Sequence, residues 1–389
     1  MTDLIRRNRD VRIDFFRGYA LFCIFIGHIA DHVLWVVTIQ VLGPSDATET
    51  FIFLAGYSAA FAYGRALDRH GVAYAAVAVL LRVWQLYVVH IFMFLAFVGQ
   101  VSWSAARFAN PAYIDEQNVG AFLETPYEAV IAALTLRFQP AFMDILPLYI
   151  VVLLIFIPLL PLLRRPLALS AVSAAIYLGV RATGLTLRTT TGTWFFNPFA
   201  WQSLFMLGAA VARLEPHRHA WLERRRGVLL PLAVAGALIG LGISAVWRIP
   251  SAFALLPEGM ALAIYTGIDK SGLHPVRLLH FLSLAYLVSR VVPAGAAWLT
   301  RLPFSLFTLI GQHGLLVFSL GVFLSFLGRL VMQEFDSGLA TQGMIAVGGL
   351  AIFVGLSALQ AWYDGKGATG RPAASSRLAS AGSPDSQGR

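Results

Sequence analysis

Five ionisable residues fall in one short stretch of this sequence: Asp14, Arg17, His28, Asp31 and His32. Advanced at ~100° per residue, they share one helical sector of about 100°, while Phe15, Phe16, Phe22 and Ile26 lie outside it. Histidine, with an ordinary pKa of about 6.5, suits proton transfer near neutral pH, so His28 is the candidate general base. Asp31 and His32 stand close enough in sequence to assist it. Arg17 is suited to holding an anion, and Asp14, three residues earlier on the same face, can hold Arg17; the plainer reading of that pair is a local salt bridge that orients the helix. His28 and His32 have (i, i+4) spacing, which can seat a metal. No HExxH-like glutamate and no third ligand follows, so no metal site is assigned.

Other polar residues sit in apolar surroundings. Arg82 and Gln85 are three apart and share a face. Arg82 is either an arginine snorkelling to the membrane surface or a phosphate-binding group, for which a planar guanidinium is well shaped. Glu49 and Asp144 fall near the outer ends of apolar segments. They are helix-end caps or acceptors for sugar hydroxyls. Trp194, Phe195, Phe196 and Trp201 read as an interfacial aromatic belt, with Trp201 also a candidate for stacking on a pyranose. His280 and His313 are packing residues or site residues, and His280 joins the candidate sugar set.

These residues need a membrane fold to position them. The chain has 389 residues, of which 58% are hydrophobic and 13% charged, too little charge to cover a soluble protein of this size. The expectation is an all-α polytopic membrane protein with about ten transmembrane helices around a polar cavity. The first apolar run is long and no small-x-small cleavage site follows it, so it reads as a retained helix rather than a signal peptide. The net charge of +9 is concentrated in short loops, as the positive-inside rule requires of cytoplasmic faces, and argues for anionic lipid rather than nucleic acid. Cys23 is the single cysteine, which excludes an internal disulfide and a thiolate cluster.

Apolar periodicity places helices near residues 14–40, 47–64, 73–100, 142–164, 167–185, 227–246, 275–292, 303–328 and 339–362, with a further one that follows Phe196–Gln202 and ends at Arg213 and an interfacial helix over 126–139. Residues 1–13 form a basic cytoplasmic lead and 363–389 a disordered tail, leaving 14–362 as one transmembrane domain with both termini cytoplasmic. The eleven steps from Arg17 to His28 rise ~16 Å, about half of a ~30 Å hydrocarbon core. Arg17 and Arg82 then line an inner mouth, Glu49 and Asp144 an outer one, with His28 between them.

Asp14-x-x-Arg17-Gly18, with His28 ten residues after the glycine, resembles the first-helix signature of the membrane acyltransferase-3 superfamily. Leu81-Arg-Val-Trp-Gln-Leu-Tyr87 resembles its arginine-bearing third-helix motif, with Gln85 where many members carry proline. Within that superfamily the chain is most similar to the OpgC family. The stretches are Arg12–His28, Thr50–Tyr57, Met143–Tyr149, Phe196–Gln202 and Asp269–Phe281. The resemblance implies a multi-pass enzyme of the bacterial inner membrane that moves a succinyl group from cytoplasmic succinyl-CoA to hydroxyls of osmoregulated periplasmic glucans. It also implies that His28 is catalytic and Arg82 functionally important. Succinyl-CoA is then a co-substrate, and no cofactor is implied. Cys23 lies about 140° around an ideal helix from His28, which favours direct transfer over an acyl-enzyme. O-acetyl transfer to another extracytoplasmic glycan remains open, as does a polysaccharide or lipid transporter, whose marks are repeat symmetry and broken helices. The sequence leaves the oligomeric state and the oxyanion donor unassigned.

Overall fold

The computed structural model describes residues 10–190, 192–214, 220 and 223–369. The basic lead over 1–9, Arg218 and the tail beyond 369 lie outside them. The architecture is all-helical, with an isolated bridge between Arg188 and Thr193 and no strand among the described residues.

Helix α1 (Val11–Gly27) starts earlier and stops much earlier than expected. Asp10 caps it, accepting the Arg12 backbone N–H at 3.0 Å. The helix expected to reach residue 40 ends at Gly27, with His28 as its C-cap. Asp31 takes a left-handed φ of 59°. The His32 ring then caps a new segment by accepting the Leu34 N–H at 3.2 Å. Two short 3-10 segments follow, Val33–Val37 and Ile39–Leu42. The ionisable stripe therefore holds for Asp14 and Arg17 and fails after Gly27.

Helix α2 (Ala47–Phe108) joins two expected helices. Asp46 and Glu49 form a reciprocal capping box at its start. Gly71 breaks it with φ 83° and ψ 179°, backbone angles that glycine adopts readily. Ser58 and Arg82 line one cavity, whereas a straight helix would separate them by ~36 Å. The two arms thus fold back along each other.

The remaining long helices are α3 (Ile145–Leu159), α4 (Pro166–Thr183), α5 (Pro198–Ala212), α6 (Arg226–Arg248), α7 (Pro275–Val291), α8 (Phe304–Gln312), α9 (Gly314–Glu334) and α10 (Leu339–Thr369). The single helix expected over 303–328 is broken at His313, whose φ of −116° and ψ of 38° leave the helical region, and it runs on to Glu334. The tail expected from 363 is helical as far as Thr369. A short helix, Pro126–Leu134, occupies the expected interfacial segment. By length and composition six helices among the described residues can cross a bilayer: α2, α3 with its 3-10 extension to Arg164, α4, α6, α9 and α10. Helices α1, α5 and α7, with 17, 15 and 17 residues, are shorter.

Polar tethers sort the loops into two ends. At one end Arg213 donates to Asp68 at 2.8 Å, Arg12 to the Val292 carbonyl at 2.9 Å, and Arg290 pairs with Glu223. At the other, Lys270 meets Asp46 at 2.6 Å, Arg181 meets Asp269 at 2.9 Å, and Arg329 pairs with Glu116. Exposed pairs of this kind add little stability; their value is to fix which loops are neighbours.

Backbone contact sets the site. Helix α1 packs on α8 with Gly18 against Phe307 and Gly311 against Asp14. A Cβ at either glycine would overlap the facing carbonyl oxygen. Small residues of this kind let membrane helices touch backbone to backbone. The same device joins α2 and α5, through Gly56 on Phe205 and Gly208 on Phe53.

Candidate functional site

The glycine contact between α1 and α8 brings Arg17 beside the break at His313. Arg17 runs over Gly314, where an added Cβ would sit 3.3 Å from its Cδ. Its guanidinium donates to the carbonyls of Leu54 at 3.3 Å and Gly311 at 3.4 Å, and to the Ser58 hydroxyl. Asp14, buried behind it, lies 3.9 Å away. The local salt bridge and the cavity-facing role therefore coexist in one arginine.

Arg17 lines a cavity of about 640 Å³ together with Arg82 and Gln85 from the second arm of α2, Tyr149 of α3, and Gln312 and His313. Arg82 Nη1 donates to Gln85 Oε1 at 2.6 Å, so the expected shared face is real. Two guanidiniums on one cavity make a site for a polyanion, since each offers forked, charge-assisted donors.

His28 faces a second, smaller pocket of about 70 Å³, shared with Asp46 and Lys270 and also lined by Cys23, Gln40 and Thr48. Its ring lies on that of Phe142, with centroids 4.2 Å apart and planes tilted by 31°. Phe142 has a φ of 66°, a rare conformation for a large side chain and one that gathers at functional sites. Cys23, inside α1, lines this pocket as well, together with Thr38, Ile39 and Gln40 from the segment that follows the helix.

Lys270, Asp46, Arg277 and Glu49 form a chain of charges beside His28. Lys270 meets Asp46 at 2.6 Å, Arg277 meets Asp46 at 3.4 Å, and Arg277 meets Glu49 at 2.7 Å. Glu49 and Arg277 are both buried. Removing one partner of a buried pair strands the other charge, which typically costs about 3–5 kcal/mol.

A pair of phenylalanines forms part of the wall of the larger cavity. Phe51 and Phe318 line the larger one, their rings near-parallel at 27° with centroids 6.3 Å apart. Ala47 and Thr48, one helical turn before Phe51, line the smaller one. Both phenylalanines are buried.

The expected residues divide unevenly over these cavities. Arg17 and Arg82 converge on one and His28 faces the other. His32 does not join His28: it is buried, with its Nε2 3.1 Å from the Gln342 carbonyl, because its ring serves as a cap. Asp31 is exposed beyond the end of α1. Glu49, Asp144, Trp201 and His280 line neither cavity. Glu49 is committed to Arg277 and the capping box. Trp201 is fully buried, its indole N–H shared by the carbonyls of Lys270 and Ser271 at 3.1 Å each, and offers no open face. His280 holds the turn before α2 through the Ser45 hydroxyl at 2.7 Å and the Leu42 carbonyl at 3.2 Å. Asp144 is the N-cap residue of α3, its carbonyl accepting the Leu148 N–H at 3.0 Å. Sequence reasoning missed Lys270, Asp46 and Phe142. The first two were visible as charges, but a loop lysine and a helix cap carry no signal that they meet.

Neither the curated proteins nor the solved structures give a match to this chain. The family model described as OpgC protein matches residues 9–365. That match covers α1 through most of α10 and the residues that line both cavities, and the chain belongs to the OpgC family.

Proposed function

We propose that this protein is an O-acyltransferase of the bacterial inner membrane that moves a succinyl group from cytoplasmic succinyl-CoA to hydroxyls of a periplasmic glucan. The observation that carries the reading is the pair of cavities, one lined by two guanidiniums, Arg17 and Arg82, and the other by His28. Family membership supports the chemistry. Ten crossings fit the helices if α2 supplies two and α8–α9 together supply one. The arginine-rich Asp68 end is then cytoplasmic, as are both termini.

Arg17 and Arg82 hold the CoA phosphates in the larger cavity. The thioester reaches past the Phe51 ring toward His28. The glucan hydroxyl enters from the other side and gives its proton to the His28 imidazole. Its oxygen bonds to the thioester carbon, the C–S bond breaks, and the leaving thiolate takes the proton from His28. Glu49, Asp144, Trp201 and His280 then shape the outer mouth through packing.

The test is thiol release in membranes carrying the protein. Release that requires both succinyl-CoA and glucan, and falls when acetyl-CoA replaces succinyl-CoA, supports the reading. Substrate counterflow without CoA consumption rejects it in favour of transport. Arg82→Ala is expected to raise KM for succinyl-CoA about tenfold or more, since a hydrogen bond to a charged group contributes ~1.5–3 kcal/mol, with kcat less affected. An unchanged KM removes Arg82 from donor binding.

A further inference from the structure

Attack on a thioester places negative charge on the carbonyl oxygen, and transfer at His28 needs a donor for that charge. The pocket around His28 offers a thiol, an amide, two hydroxyls, a carboxylate and one ammonium, from Cys23, Gln40, Thr38, Thr48, Asp46 and Lys270, and the Thr38 hydroxyl is already donated to the Trp35 carbonyl. Lys270 is the cation among them. It is also held in place. Asp46 binds its Nζ at 2.6 Å through Oδ2, while Oδ1 accepts the Thr48 N–H at 2.8 Å and the Asp46 N–H is bound by Glu49 at 2.9 Å. The Lys270 ammonium further lies 5.6 Å from the centre of the Phe196 ring. An ammonium has three donors, and Asp46 takes one. The side chain keeps 30% of its surface exposed, against 6% for Arg277, which is closed in by Glu49 and Asp46.

We infer that Lys270 is a catalytic residue, the electrophilic partner of His28, its free N–H donors binding the carbonyl oxygen as the transferred group passes from sulfur to hydroxyl. This rests on the acyltransferase reading above. As the glucan oxygen bonds to the carbonyl carbon, the C=O π electrons move to oxygen and are held by the ammonium. They return to the C–O bond as the C–S bond breaks. Lys270 keeps its proton throughout, and Asp46 acts as a positioning residue by anchoring the ammonium.

The test uses the full-length protein in proteoliposomes, with Lys270→Met and Lys270→Arg beside the unaltered chain. Lys270→Met is expected to lower kcat by about 10²–10³-fold, the usual loss on removing one such donor, with KM for succinyl-CoA within threefold. Lys270→Arg is expected to recover at least tenfold of that loss. The thioether analogue carboxypropyl-CoA, which lacks the carbonyl oxygen, is expected to bind the unaltered and Lys270→Met proteins equally. A kcat for Lys270→Met within threefold of the unaltered protein overturns the proposal while leaving the acyltransferase reading intact. Equal losses in both variants, together with a lowered unfolding midpoint, also overturn it, because Lys270 is then only a tether for Asp46. No glucan-dependent release from the unaltered protein overturns both.

Discussion

His28→Ala is expected to abolish glucan-dependent CoA release while leaving the amount of folded protein unchanged. General-base removal typically costs 10²–10⁴-fold, and here the loss should appear in kcat. Folding is spared because the C-cap bond of α1 is made by the His28 backbone N–H, 3.0 Å from the Ile24 carbonyl, and does not need the imidazole. The truncation also empties space next to a pocket of about 70 Å³ and bares the face of Phe142. Added imidazole is therefore expected to restore part of the activity. Steady-state release in membranes with matched protein levels checks this. A variant within threefold of the unaltered rate would show that another group accepts the proton. Loss of activity accompanied by loss of folded protein would mean that the ring is needed for packing.

Gly311→Ala is expected to be the most damaging small change in the molecule. The added methyl meets the Asp14 carbonyl oxygen and the backbone of Gly18, not a side chain that can rotate away. Overpacking usually costs about 1–3 kcal/mol, and a clash with backbone belongs at or above the top of that range. The helices α1 and α8 must part, which also pulls the Gly311 carbonyl from Arg17. Both the unfolding midpoint in detergent and the affinity for succinyl-CoA are then expected to fall. Gly99→Ala is the control: a Cβ there meets nothing within 4 Å, and the change should be neutral or stabilising by up to ~1 kcal/mol through helix propensity. Equal midpoints for the two variants would refute the close backbone contact.

Much of this fold is legible in hydropathy, because helices in lipid are set by apolar length and loop charge. The failures are instructive. The run Val33-Leu-Trp-Val-Val37 is as apolar as α1, so hydropathy extends the helix through it. What ends the helix is Gly27 and a left-handed Asp31, a backbone event without a hydropathic signature. Angular arithmetic then carried Asp31 and His32 around a helix that no longer exists, and set Cys23 apart from a histidine with which it shares a pocket. The convergence of Arg17 and Arg82 was legible because each lies the right number of turns from one membrane face. Lys270 was not, since its partner Asp46 stands 224 residues away and reads locally as a cap. Glu49 and Trp201 show the converse: types that bind sugars in open sites are here consumed by Arg277 and by the Lys270 and Ser271 carbonyls.

The stacked pair Phe51 and Phe318 has a bearing on the cell as well as on the reaction. An energised membrane stores ~2.3 kcal/mol per elementary charge for each 100 mV, and any continuous file of water across it lets protons run down that gradient. An enzyme that gathers reactants from opposite compartments invites such a file. Phe51 and Phe318 are buried apolar rings on the wall of the larger cavity, surfaces that offer water no hydrogen bond, and under the proposed function they oppose such a file where it would otherwise begin.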